Sequence, residues 1–272
     1  MRNAPAGMTR PGLATQPESG LSRGRIGWEV AIVLALGLGQ SAIYSIVAFI
    51  DLLTRKKPLS EQSTTIIQTL SDREIFNLMY QLLGNVFALA PVLLVCFLLW
   101  SSTRPRLGRL GIDAPRPGAD VIRGLALALM IGIPGIALYL GGRALGINVG
   151  VNPSGLDHFW WTIPVLVLSA VRAGLQEEVV LLGYLFTRLG EAKWGRWQII
   201  VATAVLRGSY HLYQGWGGFV GNMIMGLVFG WLFSRSRRVW PFVIAHAIID
   251  AAVFIGYPWA VGSFPELFSI PQ

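Results

Sequence analysis

The sequence predicts an all-α fold, a polytopic transmembrane helical bundle of seven to eight spans. Three observations carry that expectation. Hydrophobic residues make up 53% of the 272 residues and charged residues only 13%, a membrane composition. The apolar residues lie in blocks long enough to cross about 30 Å of hydrocarbon as helices. The basic residues behind the formal net charge of +8 lie between those blocks, as loop charge that orients a membrane protein does. No basic patch interleaves with exposed aromatics, so nucleic acid is not an expected partner. A single cysteine, Cys96, excludes an intrachain disulfide and a Cys-based zinc site.

Residues 1–27, rich in Pro, Gly, Ser and Arg, read as a disordered basic cytoplasmic tail. The next apolar run is too long for a signal-peptide core and is taken as a retained span. Residues 28–157 hold the N-terminal membrane spans, at about 28–50, 80–100 and 121–145. Within the polar connection 51–79, Ser63 to Met79 reads as a helix lying at the interface. Pro91 marks a kink in the second span. The block 158–189 is longer than a perpendicular crossing needs, and Gly174 is the expected break. Spans at 197–213, 216–233 and 239–257 follow, the sixth with two GxxxG pairs formed by Gly217, Gly221, Gly226 and Gly230, suited to close packing inside the bundle. Residues 258–272, with Trp259, Phe264 and Phe268, read as an interfacial C-terminal tail. Placing the N-terminus in the cytoplasm puts fourteen basic residues on inside segments and five on outside ones, so N-inside is expected.

Ionisable side chains inside apolar blocks are costly, at about 2.5–3.5 kcal/mol each near a bilayer centre on insertion scales, and therefore point to function. Here they concentrate in the C-terminal half. Arg172, Glu177 and Glu178 share the fourth block, Arg207 and His211 the fifth, and His246 and Asp250 the seventh. The pairs Arg207/His211 and His246/Asp250 are four residues apart, which places each on one helix face. Two chemistries fit. In one, a buried glutamate acts as general base on a water held by histidines. In the other, Glu177, His211 and His246 bind zinc, which activates the water. Competing readings are ion pairs that merely lock helices together, and an ion or proton relay through a carrier.

Across about 158–257 the chain resembles the CPBP family, the CAAX-protease and bacteriocin-processing (Abi) membrane proteases, whose motifs are EExxxR, FxxxH and HxxxN or HxxxD. Here they read EEVVLL (Glu177 to Leu182), RGSYH (Arg207 to His211) and HAIID (His246 to Asp250). The resemblance implies catalytic helices over 158–257 and an intramembrane endopeptidase acting on a membrane-associated peptide or protein. Glu177 would be its general base, with His211 helping to hold the water. His246 and Asp250 would stabilise the oxyanion, and Glu178 would support the site. A metal, zinc held by Glu177, His211 and His246, is implied only if the mechanism is metal-dependent. A non-catalytic relative serving as an immunity or partner protein is the alternative. Two positions depart from the motifs. Leu182 stands where the first has arginine, and Arg207 where the second has phenylalanine. Arg207 is therefore expected to replace the missing guanidinium and neutralise Glu178.

Overall fold

The computed structural model describes residues 20–113 and 116–268. Helix α1 (Arg23–Ala35) starts where the Ser22 side chain accepts from the Arg25 N–H, inside the stretch expected to be a tail. Residues 1–19 of that expected tail lie outside the described residues. Helix α2 (Leu38–Thr54) follows α1 at a bend of 58°. Residues Ser63–Ile67 form a strand, β1, and not an interfacial helix. Its β-branched run, Thr-Thr-Ile-Ile, suits an extended chain, and it pairs in parallel with β2 (Gly150–Ser154). The fold is therefore helical with one small two-stranded sheet, a correction to the all-α expectation.

Helices α3 (Glu74–Ala88) and α4 (Ala90–Leu98) make one broken rod, with Pro91 in the first turn of α4, where a missing N–H costs no hydrogen bond. The long α5 (Pro117–Ala144) leads to β2, and then to α6 (Thr162–Glu178). A π-helical segment, Val179–Leu185, joins α6 without interruption to α7 (Phe186–Glu191). Helix α8 (Arg196–Ser209) is short, and a 3-10 turn, Leu212–Gln214, leads into α9 (Trp216–Ser236). Helix α10 (Trp240–Ser263) and α11 (Pro265–Phe268) complete the described chain. The expected tail at 258–272 is thus helical as far as 268, and 269–272 lie outside the described residues.

Among the described residues four helical rods are long and apolar enough to cross a membrane, namely Glu74–Leu98, α5, α9 and α10, and the bent pair α1–α2 makes five if it is one span. The blocks expected as the fourth and fifth spans do not meet that measure. The first carries Arg172, Glu177, Glu178, Arg188 and Glu191 along Thr162–Glu191. The second has only 14 helical residues, a length of about 21 Å. The count of seven to eight is therefore not reached by length and composition.

The core is built around the π-helical segment. All seven of its residues are buried, as a helix apolar on every side requires. Gly174 does not break the fourth block; α6 runs through it. A Cβ there would lie 2.8 Å from the Val243 carbonyl oxygen, so glycine is what lets α6 close on α10. Gly226 does the same between α9 and α8, where a Cβ would sit 2.8 Å from the Ala204 Cα.

Candidate active site

Glu177 and Glu178 occupy the last turn of α6, immediately before the helical ladder widens to the π pattern. π turns arise where one residue is inserted into a helix and are frequent at functional sites. The two carboxylates diverge. Glu178 is fully buried, and its Oε1 accepts from Arg207 Nη2 at 2.6 Å. The same oxygen lies 2.7 Å from His246 Nδ1. An ionised carboxylate only accepts, so Nδ1 is the donor there. Arg207, 1% exposed, thus crosses from α8 to the acid that lost its motif arginine, while Leu182 packs in the apolar core at 2% exposure.

Glu177 keeps some access, with its side chain 13% exposed. Tyr210 donates to its Oε2 at 2.5 Å. Arg207 Nη1 and His246 Nε2 stand 3.7 and 3.9 Å from the same oxygen, beyond hydrogen-bond reach but within charge contact. The Nε2 of His246 also faces Asp250 Oδ2 at 3.5 Å, one turn along α10. His246 is therefore held by one carboxylate and looks, from its other nitrogen, into the space between two more.

His211 arrives differently from its sequence expectation. Helix α8 ends at Ser209, and the His211 N–H bonds to the Gly208 carbonyl in a tightened 3-10 turn. The four-residue rule fails for Arg207 and His211, because the helix stops before the second residue. The ring of His211 stacks obliquely on Tyr210, centroids 4.9 Å apart. Its charge environment is set by Glu177, Arg207 and His246. Neither ring nitrogen bonds to another described residue, and the same holds for Glu178 Oε2 and Arg207 Nε. A cluster of such buried polar atoms suits a bound water, which can satisfy several at once.

Two contributors stand outside the motif residues. Tyr210, the direct partner of Glu177, gives no signal in the sequence as one more aromatic in an apolar block. Arg172, one turn ahead of Gln176 on α6, finds neutral amides, with Nη1 donating to Gln176 at 3.0 Å and Nε to Asn85 at 3.4 Å. Asn77, Gln81 and Asn85 form a buried polar stripe at four-residue spacing on α3, and that spacing is the available signal.

Ligand atoms of Glu177, Glu178 and His246 lie within 4.8 Å of one another, close enough that the three could hold a metal ion. Among the described residues His211 is outside that group, so Glu177, His211 and His246 do not converge as one ligand set. The donor chemistry fits a cation poorly. Glu178 Oε1 already takes two donors, and Arg207 brings a full positive charge to it. His246 also spends Nδ1 there.

The apolar rods mark an integral membrane protein, and the enclosed cluster gathers glutamate, histidine and arginine side chains in its interior. Residues 159–252 match the family model described as type II CAAX prenyl endopeptidase Rce1-like. That match supports intramembrane protease activity in general terms. No curated protein and no solved structure matches the chain.

Proposed function

We propose that this protein is an intramembrane endopeptidase in which Glu177 is the general base. The observation that carries this reading is the division of labour between the two acids. Glu178 is consumed by Arg207 and His246, whereas the Glu177 side chain keeps 13% exposure with the His246 Nε2 3.9 Å from its Oε2. A water between Glu177 and His211 loses its proton to Glu177 as its oxygen attacks the scissile carbonyl. Tyr210 holds the carboxylate in place during that step. His246, as imidazolium, offers Nε2–H to the oxyanion, with Nδ1–H fixed on Glu178. Asp250, acceptor-only when ionised, acts through His246 and not on the oxyanion itself. Glu177 then returns its proton to the leaving amine as the C–N bond breaks.

Membrane placement is part of the reading. The uninterrupted helical rod Thr162–Glu191 is as long as α5, and its last residue, Glu191, pairs with Arg109 in the segment that precedes α5. That length supports a crossing despite its charges. Those charges face protein and not lipid, where intramembrane acids are tolerated. Helix α8 starts beside that inner end, and the turn after it hydrogen-bonds to Val149 next to β2, which supports a seventh crossing. The distribution of basic residues supports a cytoplasmic N-terminus.

The test is cleavage of a peptide library by the purified protein. Glu177→Gln, isosteric but unable to take the proton, should lower the rate by about 10²–10⁴-fold with the thermal midpoint unchanged. Cleavage that survives this change would remove Glu177 from the role. Treatment with a chelator should leave the rate as it was, and loss of activity restored by zinc would instead favour the metal mechanism.

A further inference from the structure

The two edges of the small sheet are not alike. The Gly150 N–H donates to the Gln62 carbonyl, and Ser63 and Thr65 stand opposite Gly150 and Asn152. In a parallel ladder of that register the N–H and C=O of Thr64 point to β2, while those of Ser63 and Thr65 point away from it. On the far edge of β2 the Val151 N–H is taken by the Tyr139 hydroxyl, and Pro153 has no N–H to give. That edge is closed. On the β1 edge, among the described residues, nothing bonds to the outward backbone groups of Ser63 and Thr65. A groove of about 360 Å³ lies beside them, lined by Ser63, Thr64, Thr65, Gln68, Thr69 and Gly155. Its hydroxyls and amide both donate and accept, which suits a polypeptide backbone.

This edge leads to the Glu177 cluster. His246, Asp250 and Phe254 follow one another at four-residue spacing on one face of α10. Phe254 shares a buried cluster with Ile67 of β1 and Ala170 of α6. Two turns of helix, about 11 Å, separate His246 from Phe254, a distance that an extended chain covers in roughly three or four residues. A peptide bond is cut only where its carbonyl is open to attack, so the segment around it has to leave any helix it forms. Backbone groups freed in that way are expensive to leave unpaired at a membrane, and an available strand edge supplies their partners. We propose that β1 is a docking edge for the substrate, which adds to Ser63–Ile67 as a third strand and runs from there to Glu177. The proposal rests on the endopeptidase reading for its occupant and deepens it: the substrate class is a polypeptide held extended beside the scissile bond and recognised by its main chain. With a cytoplasmic N-terminus the sheet stands on the outer side, across the membrane from the start of the chain.

The test is amide hydrogen exchange of the full chain carrying Glu177→Gln, reconstituted in nanodiscs, with a mixed-sequence decapeptide library as the probe. The comparison is the same library with every amide N-methylated, which keeps the side chains, removes every donor and bars the close approach of a strand. The free-amide library should slow exchange at Ser63 and Thr65 by about tenfold when it stands at about ten times its Kd, and the methylated one should leave it unchanged. Thr65→Pro removes an outward N–H without touching the ladder to β2, and should weaken binding about fivefold, the worth of one hydrogen bond. Unchanged exchange at the amides that face β2 shows that the sheet is intact in that variant. Exchange at β1 that the free-amide library does not alter overturns the proposal. So does equal protection by both libraries, or binding indifferent to Thr65→Pro. Protection that appears without peptide and grows with protein concentration means that a second copy of the chain occupies the edge, which also overturns it. Cleavage of the library by the Glu177→Gln protein would count against Glu177 as the base and leaves the exchange readable, so the two failures stay distinct.

Discussion

Arg207 shows how one side chain sets the chemistry of another. Its guanidinium and Glu178 are both almost wholly removed from solvent, and removing one partner of a buried ion pair costs about 3–5 kcal/mol because the other is left unpaired. Arg207→Leu should therefore destabilise the protein by about that amount, read as a lowered thermal midpoint in detergent. Adding Glu178→Gln should recover part of the loss, since no buried ion then lacks its partner. A double variant no more stable than the single one would mean that His246, and not Arg207, is the main support of Glu178. This pairing is legible in the sequence, because a lost arginine and a gained one are both conspicuous among apolar residues. Tyr210 is not legible there. A tyrosine hydroxyl costs little to place in such a block, so nothing in the sequence marks it as the group that holds Glu177.

At the scale of elements, the site depends on how closely α6 and α10 approach. Gly174 and the Val243 carbonyl meet where a methyl group has no room. Gly174→Val should push the helices apart and cost about 1–3 kcal/mol by overpacking. It should also widen the gap between Glu177 and His246, so activity should fall further than stability alone explains. Proteolytic activity at a temperature well below the variant's own midpoint checks this, and a rate equal to the parent's would dissociate the helix spacing from the chemistry. Gly174 stands out in the sequence too, but for the opposite reason, as a break. A lone glycine in a helical pattern signals either flexibility or close approach, and only the neighbour tells which. Likewise the strand at Ser63–Ile67 is too short for periodicity to distinguish from an amphipathic turn, and its partner lies in a distant connection. Helix α8 reads as a span because its apolar block continues past Ser209, where the backbone nevertheless turns.

For the whole molecule, orientation is the property most open to test. Cys96 is the only cysteine, so Cys96→Ala gives a clean background. A cysteine placed by Ser101→Cys should react with an impermeant thiol reagent only from the cytoplasmic side, and one placed by Ser154→Cys only from the opposite side. Labelling of both from one side would overturn the seven-crossing arrangement, and labelling with the sides exchanged would reverse the orientation. The segregation of ionisable groups into the second half of the chain is readable from sequence because charge in lipid is expensive wherever it falls. The charges along Thr162–Glu191 keep that rod from meeting a measure of apolarity, whereas α10, with only His246 and Asp250 among its apolar residues, meets it.

The pairing of β1 with β2 bears on the order in which the chain is assembled. Ser63 and Gly150 stand opposite each other in the register, yet α3, α4 and α5 lie between them in sequence. The first connection cannot find its partner until all the intervening helices have been made and inserted, and contacts so distant along a chain form late. Meanwhile the backbone amides of β1 depend on water at the membrane surface. The sheet thus closes only after α5 has been made, and until then β1 presents an open strand edge.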